Sequence, residues 1–92
     1  MGGNDEIRHT EGDFFIERDG KRIAELTYHR VGSDIVVTHT WVEPSLRGQG
    51  DARRLVDAAV AWARAEKFKI VPACSYVRAV MRNDEYRDVR KS

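Results

Sequence analysis

The chain has 92 residues, 41% of them hydrophobic and 34% charged, with a net charge of +1 and a single cysteine. That length accommodates one core and excludes a second domain, so residues 13–92 are read as a single α/β (α+β) domain behind a lead-in at residues 1–12. Cys74 has no partner for an internal disulfide, and no signal peptide or long apolar run occurs, which sets a cytoplasmic, membrane-free expectation.

The charge is unevenly spread. Residues 1–46 hold five Lys/Arg against nine Asp/Glu, and residues 47–92 hold eleven against six. The second half is therefore the side to search for an anionic ligand. In chain order, residues 1–12 are polar and glycine-containing, as flexible lead-ins are. Glu6 stands where a myristoylation signal needs Ser or Thr, so no lipid anchor is expected.

Asp13 to Arg18 (DFFIER) reads as a strand, and Asp19-Gly20 supplies the two positive-φ positions of a tight hairpin. Lys21 to Arg30 returns with Ala24, Leu26 and Tyr28 on one face and Glu25, Thr27 and His29 on the other. After a turn at Gly32-Ser33-Asp34, Ile35 to Val42 is rich in β-branched residues and completes a three-stranded meander. On that last strand His39 is placed on one face with Ile35, Val37 and Trp41.

Asp51 to Lys67 is the clearest helix, its apolar stripe formed by Leu55, Val56, Ala59, Val60, Trp62 and Ala63. Phe68 to Ala73 reads as a fourth strand, followed by a cap-like Ser75. Tyr76 to Arg82 reads as a second helix, and the tail from Asp84 as a last turn with Tyr86 and Val89 packed inward. The order is β-β-β-α-β-α, with the fourth strand returning beside the third through a helical crossover.

The stretch from Leu46 to Leu55, LRGQGDARRL, joins the meander to the long helix. It matches neither the P-loop nor the dinucleotide fingerprint, which needs a third glycine where Arg53 stands. Small residues at Gly48, Gly50 and Ala52 let backbone N–H groups approach a phosphate, and the helix N-terminus adds roughly half a positive charge. Arg47, Arg53 and Arg54 offer further charge-assisted contacts. The other reading of the turn is a plain helix entry with glycines for geometry.

The run Arg47-x-x-Gly50-x-Ala52, placed after a β-meander, resembles the acyl-CoA-binding signature of the GNAT superfamily of N-acetyltransferases. The likeness runs from about Asp13 to Tyr86 and is closest to a short, single-domain subgroup. Its other echoes are His39-Thr40, the LRGQG run and the CSYV stretch from Cys74. It implies a minimal GNAT fold with acetyl-CoA as cosubstrate and an amine as acceptor, small molecule or protein. It also implies a CoA site at Val42, Arg47, Gly48, Gln49, Gly50, Ala52, Arg53 and Arg54. A backbone N–H between Thr40 and Val42 is then the donor to the thioester carbonyl.

Three side chains are candidates for the chemistry. Cys74 follows the fourth strand, where the resemblance puts the reacting end of CoA; it is an acyl-accepting thiol, a pocket lining or a small buried hydrophobe. His39 is a base for the amine or a packed histidine. Tyr76 is a proton donor to the leaving thiolate or an apolar-face aromatic. No metal site is predicted.

Two readings compete with the transferase: an acyl-CoA binder without catalysis, and a small basic domain that contacts nucleic acid or protein. Interleaved Asp84, Glu85 and Asp88 weigh against the basic surface at Arg78, Arg82, Arg87, Arg90 and Lys91. The expected assembly is a monomer or weak homodimer. Four positions depart from the family pattern: Trp41 in place of an acid, Glu43 in place of a proline, Lys67 in place of a glycine, and Asp51 in place of an apolar residue.

Overall fold

The computed structural model describes residues 6–91. The first five residues, which make up much of the expected lead-in, lie outside that range, as does Ser92. The remainder of the lead-in is not loose chain. Residues Ile7–Thr10 form strand β1, paired antiparallel with Asp13–Arg18, β2. Gly12, at φ 102°, closes the connecting turn, and Thr10 Oγ1 donates to Asp13 Oδ1 at 2.6 Å. Alternation is what makes the strand: the His9 ring stacks on Phe14 with centroids 3.9 Å apart, while Arg8 faces Glu17 on the other side. With Ile7 its one aliphatic residue, the segment carries little hydrophobic signal of its own.

β2 turns through Asp19 (φ 54°) and Gly20 (φ 78°) into β3, Lys21–Val31, which pairs with β4, Asp34–Val42. These two positive φ values in succession are the turn that matches the right-handed twist of the flanking strands. The 16-residue helix α1, Asp51–Glu66, then crosses over and delivers β5, Lys69–Pro72, parallel to β4. The sheet order is β1-β2-β3-β4-β5, one strand more than the predicted meander and with the crossover where it was expected. Helix α2, Ser75–Val80, and a 3-10 turn at Asp84–Tyr86 follow.

One cluster of buried residues holds the elements together. The strands contribute Phe14, Ile16, Leu26, Ile35 and Val37, and α1 contributes Leu55, Val56, Ala59, Val60 and Ala63. Val77 and Met81 close one end, and Tyr86 and Val89 pack in from the tail, as expected. Tyr86 donates to Asp57 Oδ1 at 2.7 Å, and burial together with that carboxylate pushes its hydroxyl up to about 12. Trp62, at the end of the apolar stripe, lies among Phe14, Tyr28 and Phe68 at 5.2–5.7 Å between centroids.

The opposite face of the sheet is polar. Arg22 lies 3.8 Å over the Phe15 ring and bonds Asp13 at 2.8 Å and Glu25 at 3.0 Å. The second edge of the sheet is sealed by the tail, where Ile70 N donates to Val89 O and Lys91 N donates to Ile70 O. No helix among the described residues is long and apolar enough to cross a membrane.

Candidate functional site

Strands β4 and β5 part company halfway. β5 pairs with β4 from Asp34 to Val37 only, and there both Ala73 N and Cys74 N donate to Val37 O, at 3.0 and 2.9 Å. Those two bonds turn the chain off the sheet into α2. β4 runs on to Val42 paired with β3 alone, so from Thr38 to Val42 its other edge faces a gap.

A bulge sits where the gap opens. Thr27 pairs with His39 and Tyr28 with Val37, so Thr38 is an extra residue with no opposite number. Directly opposed residues share a face. His39 and Trp41 therefore stand with Thr27 and Glu25 on the polar face, whereas Ile35 and Val37 point into the core. This corrects the expectation that all four share one face: the alternation is reset at Thr38. Thr40 and Val42 take the helix-side positions that simple alternation assigns to His39 and Trp41.

The gap opens into a cavity of about 590 Å³. β4 lines it with His39, Thr40, Trp41 and Val42, and the glycine turn with Arg47, Gly48, Gly50, Asp51 and Ala52. Leu46, from the 3-10 turn Pro44–Leu46, and Tyr76 complete the walls. Gly48 and Gly50 hold φ values of 86° and 87°, and a Cβ on either would project into open space. Glycine is required there for backbone conformation, and it leaves the approach to the helix clear. Arg54 N closes the first helical bond, to Gly50 O at 3.0 Å. The N–H groups ahead of it lack intrahelical acceptors, as at any helix start.

Asp51 is the exception in this cradle. It is 6% exposed, the buried charged residue of the described chain. Its Oδ1 meets Arg54 at 3.3 Å, and its Oδ2 is buried without a hydrogen-bond partner. The side chain is thus buried at the helix start, at a residue that also borders the cavity.

Cys74 is half-buried, and its Sγ lies 3.5 Å from Thr40 Oγ1. Burial alone raises the thiol, but the Thr40 hydroxyl and the backbone N–H groups of Val77 and Tyr76 outweigh it, and the balance lies below the ordinary cysteine value. The neighbour of Cys74 on β4 is therefore Thr40, and His39 belongs to the other face. Cys74 also takes the N-cap position of α2 that was expected of Ser75, which is the first helical residue. Tyr76 is 38% exposed at the cavity wall, and burial raises its hydroxyl, with Arg53 pulling the other way.

Of the candidates named from sequence, Val42, Arg47, Gly48, Gly50, Ala52, His39 and Tyr76 meet at this one cavity. Gln49 is exposed beside it without lining it, and Cys74 adjoins it through Thr40. Arg53 is drawn away along α1, to Glu85 at 3.0 Å and Asp57 at 3.5 Å, and Arg54 is engaged by Asp51. Sequence reasoning had no place for Leu46 or the Thr40 side chain. The spacing of two residues between Glu43, which caps the 3-10 turn, and Ser45 was the available signal for Leu46.

Residues 13–89 match the family model described as GCN5-related N-acetyl-transferase, and the chain belongs to that family. An NMR solution structure of a GCN5-like protein from Staphylococcus aureus is similar at 34% identity and a TM-score of 0.79, over 98% of this chain and 91% of that one. The ribosomal-protein-S18-alanine N-acetyltransferase of Escherichia coli shares the fold at 17% identity and a TM-score of 0.60, over 68% of this chain and 42% of its own. An aminoglycoside N-acetyltransferase in complex with CoA does so at 17% and 0.55, over 87% and 59%. This chain thus spans less than two thirds of either of those two proteins. Among curated proteins, none matches it.

Proposed function

We propose that this chain transfers an acetyl group from acetyl-CoA to an amine. The observation that carries the reading is the single cavity joining the open glycine turn to the β4/β5 gap beside Thr40, Cys74 and Tyr76. A donor with a phosphate at one end and a thioester at the other suits those two ends. Backbone N–H groups from Gly48 through Ala52, Gln49 among them, and the helix N-terminus bind the pyrophosphate. Arg47 lies at the turn, where its Nε donates to Val42 O at 3.3 Å; Arg53 and Arg54 stand on the first turn of the helix, each paired with a carboxylate that the incoming phosphates compete with.

The donor supplies an activated thioester. In the transfer, the amine nitrogen bonds to the carbonyl carbon while the carbon–sulfur bond breaks with its electron pair left on sulfur. The chain's part is to polarise the carbonyl through a backbone N–H on the unpaired edge between Thr40 and Val42, and to move one proton. His39 accepts it from the amine, and Tyr76 returns one to the departing thiolate. Cys74 lines the reacting end, with its thiol held by Thr40.

Calorimetry with acetyl-CoA and with CoA is the first test: saturable binding of both is expected, and binding of neither ends the proposal. Release of free thiol on adding amines distinguishes a transferase from a passive binder. Intact mass after incubation with acetyl-CoA reports on Cys74. Lining alone predicts no adduct and sustained turnover in Cys74→Ala, whereas an acetyl adduct lost in that variant makes the thiol an intermediate.

A further inference from the structure

We infer that the polar sheet face beside the cavity holds the acceptor, and that Trp41 and Glu25 select an amine carrying a second positive charge. The inference rests on the transferase reading and adds the class of acceptor. The bulge at Thr38 turns Trp41 onto the polar face while leaving it in the cavity wall, and Glu25 is its directly opposed partner on β3. Arg22 bonds Glu25 through Oε1 and so fixes the carboxylate, while Oε2 accepts from no described residue. Among the other acids of this region, Asp13 is held by the same Arg22, Asp51 is buried at the helix start beside Arg54, and Glu43 is committed to Ser45, whose N and Oγ both donate to its Oε2 at 2.9 Å. An indole face beside a held carboxylate with an open oxygen is a site for a cation.

The reacting nitrogen cannot be that cation, because it must give up its proton before it attacks. Trp41 and Glu25 favour the charged form, so the group they hold is a second one. His39, the next residue along on the same face, lies opposite Thr27 and also borders the cavity. Two residues of extended strand separate His39 from Trp41 by about 7 Å. A linear diamine with a four- or five-carbon spacer spans that interval, with one nitrogen at His39 by the gap and the other over Trp41.

The test uses the full chain, acetyl-CoA and three acceptors of one length: 1,5-diaminopentane, 5-aminopentan-1-ol and pentylamine. The diamine is expected to have a KM about tenfold below the other two, the size of one cation–π contact. Trp41→Ala and Glu25→Gln are each expected to erase most of that difference. Equal KM values in the unaltered protein, or a diamine preference that survives both substitutions, overturns the inference.

A second readout needs no turnover. In protein labelled with 5-fluorotryptophan, loss of one 19F resonance in Trp41→Phe identifies Trp41 against Trp62. The diamine is expected to shift the Trp41 resonance saturably, and the amino alcohol to leave it in place. A resonance that the diamine does not move overturns the site even where acetyl transfer is found. A saturable shift without any thiol release supports the site and refutes the transferase reading.

Discussion

Asp51 is the residue where local and global demands diverge most sharply. At the first position of α1 a carboxylate gains roughly 0.3–1 kcal/mol from the helix dipole. Here it is buried, with one oxygen bonded to Arg54 and the other to nothing. A buried acceptor left unsatisfied costs about 1–3 kcal/mol, so the penalty outweighs the dipole term. Asp51→Val is therefore expected to stabilise the fold by about 1 kcal/mol, read as a higher urea midpoint at unchanged slope. It is also expected to tighten CoA binding, since it removes an anion from beside the turn proposed to hold the pyrophosphate. A lower midpoint together with unchanged affinity would show that the carboxylate is an asset.

Lys67 presents a backbone problem at the same scale. It ends α1 at φ 63°, with its N–H shared between Ala63 O and Arg64 O. The loss of a glycine C-cap was legible from the sequence. The structure adds that the lysine itself adopts the left-handed conformation, which costs an L-residue about 1 kcal/mol. Lys67→Gly is expected to recover about that amount, measured by thermal or urea unfolding. No gain would mean that the lysine's charge at the helix C-terminus compensates in full.

Among the elements, β1 and β4 show how an element can be invisible or misread in one dimension. β1 is made by pairing, and His9, on its helix side, rests against Phe14 and Trp62 from the surface, with Nε2 2.7 Å from the Tyr28 hydroxyl. Burial holds the His9 imidazole below its ordinary value, with Asp13 opposing that shift. The folded chain therefore binds this proton less readily than the unfolded chain does, and stability rises with pH through that range. Acidifying from pH 7 past the ordinary histidine value, about 6.5, is expected to lower the melting temperature. His9→Phe should flatten that part of the profile and keep the stacking on Phe14. A slope unchanged in the variant would place the titration elsewhere.

β4 was legible as a strand, from its β-branched run, but its faces were not. A bulge adds one residue without changing composition, and everything beyond Thr38 then reverses face. The reversal moves His39 and Trp41 to the polar side and puts Thr40 against Cys74. The candidate catalytic trio named from sequence is consequently split across the sheet, with His39 on one face and Cys74 and Tyr76 at the helical side. Asp19-Gly20, by contrast, was readable outright, because a two-residue hairpin turn depends only on local backbone preference.

Over the whole molecule, the split between an acidic first half and a basic second half is partly closed by ion pairs. Much of the positive charge is spent internally: Arg64 on Asp88, Arg53 on Glu85, Arg87 on Asp84, and Lys91 on Asp34 across 57 positions of sequence. Arg90 donates to the Met81 carbonyl. The tail, short of apolar residues apart from Tyr86 and Val89, is held to α1 and to the edge of β5 by these contacts. Ion pairing at the tail thus serves the fold, while Arg78 and Arg82 stay exposed on its surface.

What the sequence by itself determined is what nearest neighbours and periodicity encode. Those are the hairpin at Asp19-Gly20, the amphipathic stripe of α1, the crossover that returns β5 beside β4, and a glycine turn opening a helix. Each follows from backbone preference or from the burial of a regular apolar pattern, and both act within a few residues. Only the tertiary structure decided which way Asp51 and His39 point, that Thr40 rather than His39 meets Cys74, and that Ile7–Thr10 is a strand. Those outcomes depend on a bulge, on strand pairing and on the parting of β4 from β5. They are properties of contacts between distant segments, and no stretch of chain carries them alone.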